Sequence, residues 1–171
     1  MSENITINLE GLSKEEREQL LRLVEKAKRS KKIWKPEYGE WYWYISSDGQ
    51  VDNCEWVNGP MDLGRYDMGN CFRTKEEAEF AGEKQKVKTE LQRYADEHND
   101  PNLEEWNVKN WHYYIEYFLK CDALEIVSMC SRRMESVTYF TSENIAEDAM
   151  KEIGKKRIMK YLFDVDCEVD E

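Results

Sequence analysis

The chain has 171 residues, of which 40% are hydrophobic, 12% aromatic and 36% charged, with a formal net charge of −11. A chain of this length buries roughly 70% of its unfolded surface and needs no disulfide or metal to fold, and it is too apolar for general disorder. Its apolar runs fall far short of the ~20 residues of a membrane span, Met1-Ser2-Glu3-Asn4 lacks the basic-then-apolar layout of a signal peptide, and an acidic body is repelled by phosphate backbones. A cytoplasmic protein is therefore expected, without direct nucleic-acid binding over most of its surface.

The charge is unevenly placed. Residues 1–35 carry nine Lys/Arg against six Asp/Glu, and the remainder carries sixteen against thirty. After a short lead, Ser13-Lys14-Glu15-Glu16 has capping-box spacing, and Leu20, Val24 and Ala27 continue as a helical stripe. This predicts an N-terminal helix within residues 1–38. Its basic end, Lys26 to Lys35, either complements the helix dipole or offers a small phosphate-binding patch.

The central pattern is a repeat. Trp41-Tyr42-Trp43-Tyr44-Ile45 returns as Trp111-His112-Tyr113-Tyr114-Ile115, and Phe72, Ala78 and Ala81 return as Phe140, Ala146 and Ala149. In the first copy, residues 39–100, alternation places Trp41, Trp43 and Ile45 on one strand face and Tyr42 and Tyr44 on the other. Asp48-Gly49 is a hairpin signal before a second strand from about Val51 to Val57. Three glycines and Pro60 predict a loop from Asn58 to Asn70. Cys71-Phe72 suggests a brief third strand, and Thr74-Lys75-Glu76-Glu77 opens a long helix with the stripe Phe80, Lys84, Val87, Leu91, Tyr94 and His98.

An acidic linker, residues 101–110, leads to the second copy, residues 111–163. It offers a strand carrying Trp111, Tyr113, Ile115 and Tyr117, a turn near Lys120 to Asp122, strands from Leu124 to Met129 and Ser136 to Phe140, and one last helix capped by Thr141 or Ser142. An acidic tail, residues 164–171, closes the chain. The expected fold is α+β, an N-terminal helix followed by two β-β-β-α units whose antiparallel sheet or sheets carry helices on one face. Trp41 and Trp111 are expected to be buried equivalents.

The catalytic inventory is poor. There is no phosphate-cradling glycine loop, no Gly-x-Ser-x-Gly elbow and no tight Cys/His cluster. His98 and His112 are expected to be structural. Cys54, Cys71, Cys121, Cys130 and Cys167 have neither zinc-knuckle nor redox-pair spacing, so they are expected to be reduced and mostly buried. Neither a cofactor nor a metal is expected, and a non-enzymatic protein is.

Both faces of the first strand carry rings, which means either a two-sided core or an exposed aromatic platform. Trp56, Asp62, Arg65, Tyr66 and Asp67 on the glycine-punctuated loop are candidate partner-binding residues, since Arg, Tyr and Trp dominate interface energetics. The alternative is that Asp62 or Asp67 simply pairs with Arg65 to pin the loop.

Trp34-Lys35-Pro36, Gly39-Glu40, Asp48-Gly49, Asp62…Arg65…Gly69-Asn70, Thr74…Glu76-Glu77-Ala78-Glu79 and Glu152-Ile153-Gly154…Lys160-Tyr161-Leu162-Phe163 resemble a family of small acidic proteins carried by phages and prophages of Gram-positive bacteria. The resemblance spans Ser13 to Val165 and implies a phage accessory protein in the host cytoplasm. On that footing the leading expectation is an inhibitor of a bacterial defence nuclease, an anti-CRISPR or restriction inhibitor. Its partner would be a host or defence protein with a basic groove, such as a Cas nuclease. Asp96, Glu97, Asp100, Glu104 and Glu105 would imitate phosphates there; equally, the acidity serves solubility alone. Two alternatives remain. One is a nucleotide- or small-ligand-sequestering module using Arg65, Arg73, Arg132 and Arg133. The other is a nucleic-acid binder using Lys26 to Lys35.

Overall fold

The computed structural model of the chain describes Ser13, Glu16, Arg17, Gln19 and residues 34–165. The chain divides into two units, Met1–Glu37 and Tyr38–Glu171. In the first, Ser13 and Glu16 make the reciprocal bonds of a capping box, with Ser13 N donating to Glu16 Oε2 at 2.8 Å and Glu16 N to Ser13 Oγ at 3.2 Å. The stripe Leu20, Val24 and Ala27 and the basic residues Lys26 to Lys32 lie outside the described residues, as do the tail acids from Asp166 onward.

Among the described residues the second unit is mixed α/β, with four helices and two antiparallel sheets of two strands each. In the first sheet β1 (Trp41–Ile45) pairs with β2 (Val51–Glu55), in register from Trp41 opposite Glu55 to Ile45 opposite Val51. The turn between them uses Gly49 at φ +80°, the left-handed conformation that its place after Asp48 predicts.

The segment from Asn58 to Asn70 is not a loop. It forms a helix, α1 (Pro60–Asp67), with Gly59 and Gly69 at its ends and Gly64 inside it. Pro60 takes the first helical position, where no backbone donor is needed. At the other end Gly69, at φ +70°, donates to Tyr66 O at 2.9 Å while Asn70 N donates to Arg65 O at 2.7 Å, the two bonds of a Schellman termination.

The expected third strand of each sheet is a single bridge instead. Trp43 exchanges both backbone bonds with Phe72, and Tyr113 does so with Phe140. In the first sheet an amide side chain continues the pairing: Asn70 Oδ1 accepts from Ile45 N at 2.8 Å and Asn70 Nδ2 donates to Ile45 O at 2.7 Å. That substitution explains why no third strand is needed there.

Helix α2 (Lys75–His98) starts at Thr74, whose hydroxyl accepts from Glu77 N. The second sheet pairs β3 (His112–Phe118) with β4 (Ala123–Met129). Ser142 then caps α3 (Glu143–Ile153), through Ile145 N to Ser142 Oγ at 3.3 Å. The expected single last helix breaks at Gly154, φ +96°, and α4 (Lys155–Phe163) follows. The break turns α4 onto α2. Phe80 packs on Tyr161 with ring centroids 5.2 Å apart, and Arg157 bonds both oxygens of Glu90 and also Glu83.

The main core joins Val87, Leu91 and Ala95 of α2 to Phe140, to Ala146, Ala149 and Met150 of α3, and to Ile158 of α4. Tyr113 and Ile115 pack against it from β3, so the odd-numbered face of β3 is the helix side. In β1 the helix side is likewise odd-numbered, since Ile45 reaches Gly82 of α2. The opposite face is not bare. Tyr42 is fully buried beneath α1 and Trp56, which means that the first sheet is covered on both sides rather than one.

Trp41 and Trp111 contradict their expected burial: they are 62% and 52% exposed, while their neighbours Tyr42 and His112 are buried. Both lead their strands at the end, and the inward pull falls on the following residue. No helix among the described residues is long and apolar enough to cross a membrane.

Candidate protein-binding surface

The candidate residues around α1 are drawn inward. Trp56 is 1% exposed and packs edge-on against Tyr42 and Tyr66, with centroids 5.6 and 6.2 Å away. Such pairs add about 0.5–1.5 kcal/mol beyond their buried area. Asp62 is buried as well. Its Oδ1 accepts from the Tyr42 hydroxyl at 2.9 Å, and its Oδ2 accepts from Val57 N and Gly59 N, both at 3.0 Å.

Arg65 completes this network by donating to the Tyr42 oxygen at 3.0 Å and to Cys54 Sγ at 3.1 Å, its guanidinium 3.4 Å from the centre of the Tyr44 ring. Burial alone raises the Asp62 carboxyl, but the bonds from Tyr42, Gly59 and Val57 and the Arg65 charge outweigh it, so the group lies below its ordinary range. Burial, first of all, lifts the Tyr42 hydroxyl and pushes the Cys71 thiol up to about 11. The chemistry-bearing groups of this half thus hold α1 to the sheet. Trp56 and Asp62 present no surface to a partner, Arg65 and Tyr66 are half-buried, and only Asp67 is exposed. Asp62 does pin the segment, but through Tyr42 and the backbone amides of Val57 and Gly59, and it meets Arg65 through the shared Tyr42 hydroxyl and not in a direct ion pair among the described residues.

The other arginines considered for phosphate binding do not meet Arg65 there. Arg73 follows Phe72 at the start of α2, whereas Arg133 sits 5.7 Å from the Trp106 ring and Arg132 is exposed beside it in the second half. Of the described cysteines, Cys54, Cys71 and Cys130 are half-buried and unbridged, and Cys121 is exposed, against the expectation of burial.

The acidic candidates have the opposite character. Asp96 and Glu97 lie in the last turn of α2, and Asp100, Glu104 and Glu105 follow; all five are exposed. Asp96 accepts from Gln92, Asp100 from Asn102 and Glu105 from Asn107, and among the described residues none of the five forms an ion pair with a cation. Among the described residues their charge is therefore left without a cationic partner.

This segment is fixed at both ends. At the first, Asn99 Nδ2 donates to Tyr139 O at 3.0 Å, Asn99 Oδ1 accepts from Thr141 N at 2.9 Å, and Asp100 N donates to Thr141 Oγ1 at 2.9 Å. At the second, Trp106 stacks on buried His112 at 3.9 Å and meets Tyr139 edge-on at 4.8 Å, while Asn110 Nδ2 donates to Glu105 O at 3.1 Å. Residues 101–110 are consequently an integral part of the second half and not a free linker. Sequence reasoning missed Asn99 and Trp106, and it named His112 as structural and Thr141 as a possible cap without their part in bracing this segment. The one available signal was the Asn99-Asp100-Pro101 helix stop, which favours side chains that bond backbone.

The negative field reaches α3. Burial first, then the carboxylates of Asp148, Glu152 and Glu97, raise the Tyr94 hydroxyl above its ordinary value. Asp148 itself is shared with Lys151 at 2.9 Å. His112 titrates the other way: burial lowers it, a bond to the Glu105 backbone partly offsets this, and the Arg133 charge adds to the lowering.

The chain matches no known family model, no curated protein and no solved structure.

Proposed function

We propose that the chain acts by binding, with the acidic segment Asp96, Glu97, Asp100, Glu104 and Glu105 engaging a protein whose own surface is a basic, nucleic-acid-type groove. One observation carries the reading. Asp96 and Glu97 occupy the last turn of α2, the end where anions oppose the helix dipole, each at a cost of about 0.3–1 kcal/mol when not compensated. Acids placed against the local rule, left without ion pairs and braced at both ends, are better explained by recognition than by stability. Bracing lowers the ordering cost of association, and exposed charge of one sign steers encounter with a basic partner.

The resemblance to phage and prophage proteins gives this a setting: an inhibitor that occupies the nucleic-acid channel of a bacterial defence nuclease. We further infer that the two halves of residues 39–163 are copies of one sheet-and-helix module. Three matched features support this: the Trp43–Phe72 and Tyr113–Phe140 bridges, the caps Thr74 and Ser142 two residues after each, and the fully buried Ala78 and Ala146.

The test is affinity capture from lysate of a Gram-positive host, with duplex DNA as competitor. The reading expects a nucleic-acid-binding protein that DNA displaces and that elution with salt releases, because exposed charge pairs are screened beyond about 10 Å at 0.1 M salt. A captured protein that DNA leaves in place and salt does not release would count against it.

A further inference from the structure

The least explained feature of the second unit is a cavity of about 240 Å³ between α2, β3, the segment before Phe140 and α4. Its apolar wall comes from Leu91, Ile115, Val137, Phe140, Leu162 and Phe163. Protein interiors tolerate few voids larger than a water molecule, and the loss of stability grows with the volume left empty. Here an opening of several water volumes adjoins the main core, of which Leu91 and Phe140 are members.

The polar part of the lining has one sign. Lys84 and Lys88, one turn apart on α2 and both half-buried, line the cavity together with Ser136 and Thr138. Neither lysine forms an ion pair among the described residues, although the chain carries 36 Asp and Glu. Their neighbours on α2 behave differently: Lys75 pairs with Glu79 at 3.1 Å and Lys86 with Glu83 at 2.8 Å. Ser136 stands at φ +64°, a conformation that a non-glycine residue rarely adopts and that costs about 1–3 kcal/mol in sites where the surroundings impose it.

We propose that this cavity is a binding site for a medium-chain aliphatic carboxylate, its alkyl chain lying against Leu91, Ile115 and Phe140 and its headgroup held by Lys84 and Lys88. The charge complementarity selects the occupant. A neutral alkane-like ligand would leave the two lysines that line the cavity unanswered, and a cation would meet them with repulsion. At a share of roughly 30 Å³ per water-sized group, the volume suits an alkyl chain of about eight to ten carbons, with the carboxylate beyond it beside Lys84 and Lys88. Small-molecule sites of this kind are mostly apolar with a few placed polar groups.

The site is separate from the acidic segment and does not depend on it. The experiment follows the methyl resonances of Leu91, Ile115, Val137 and Leu162 in the full chain during titration with decanoate, decanol and decyltrimethylammonium, each below its aggregation concentration. Decanoate is expected to shift these methyls saturably, decanol to bind at least tenfold more weakly, and the ammonium compound not to bind. The double variant Lys84→Met/Lys88→Met should weaken decanoate at least tenfold and leave decanol unchanged, while Val137→Phe, which fills the cavity, should abolish both. Equal affinity for decanol and decanoate would overturn the headgroup assignment, and so would undiminished decanoate binding by the double variant. Absence of any methyl shift would make the cavity a packing gap and end the proposal.

Discussion

Asn99 and Thr141 grip each other across 42 positions of chain, the amide oxygen of one taking the backbone N–H of the other at 2.9 Å. The same two residues also satisfy Tyr139 O and Asp100 N, so the end of α2 is tied to the start of α3 through these three hydrogen bonds. Asn99→Ala strands a part-buried N–H and a carbonyl. Leaving such groups unmade costs about 1–3 kcal/mol, which chemical denaturation of the variant should register, and amide exchange should accelerate at Asp100 and Thr141. A stability within 0.5 kcal/mol of the parent, with exchange unchanged, would mean that the acidic segment is held by something else.

The first strand supplies a sharper contrast. Trp41 is more than half exposed and Tyr42 fully buried. Tyr42→Ala and Trp56→Ala should each cost about 3–5 kcal/mol, as large core truncations do. Trp41→Ala and Trp111→Ala should cost under about 1 kcal/mol. Equilibrium urea denaturation of the four variants decides it, and a reversed order would place the wrong face of β1 inward.

Asp62 predicts an acid limb. Its folded carboxyl lies below the unfolded value, so its contribution is complete above the unfolded pKa of about 3.9 and is lost as pH falls through the lower folded value. Asn at this position has one acceptor oxygen for three donors. Asp62→Asn should therefore cost about 1–3 kcal/mol at pH 7, with the gap from the parent closing below pH ~4. A gap independent of pH would show that the carboxylate charge is immaterial.

His112 predicts a second limb at milder pH. A base held below its unfolded pKa of about 6.5 stays neutral while the unfolded chain takes up a proton. Stability is thus full above pH ~6.5, falls as the pH drops below it, and levels off beneath the folded value. Its Nε2 has no hydrogen-bond partner among the described residues, so a ring without nitrogen gives up only the bond to the Glu105 backbone. His112→Phe keeps a ring to stack on Trp106 and should flatten the melting-temperature profile between pH 7 and 5.5. An unaltered slope in the variant would assign the limb to another group.

Much of the secondary structure was legible because local chemistry decided it. Thr74 with Glu77, Ser142, and Asp48-Gly49 act within four residues of themselves; β1, β3 and β4 follow from aromatic and β-branched runs, and β2 from the turn before it. The helix α1 was not legible. Three glycines and a proline argue for a loop, and the segment is helical because Pro60 and Gly69 occupy its two ends and Asp62 and Arg65 bind Tyr42, residues 20 and 23 positions away. Nor could alternation say which face of β1 turns inward, since Trp41, Tyr42, Trp43 and Tyr44 make both faces aromatic. The third strand of the first sheet failed for a related reason: Asn70 replaces backbone with an amide side chain, a tertiary event with no local signature. The acidic candidates could be read from composition, but their bracing by Asn99, Thr141, Trp106 and His112 depends on contacts between distant segments.

The most direct measurement compares the parent chain with a variant carrying Asp96→Asn, Glu97→Gln, Asp100→Asn, Glu104→Gln and Glu105→Gln, using the DNA-displaceable protein recovered by capture. Calorimetric titration at 50 and 200 mM salt should show the parent binding at least tenfold more tightly than the variant at low salt, with the difference shrinking at high salt, while the two chains melt at the same temperature or the variant slightly higher. Equal affinities at both salt concentrations would contradict the account.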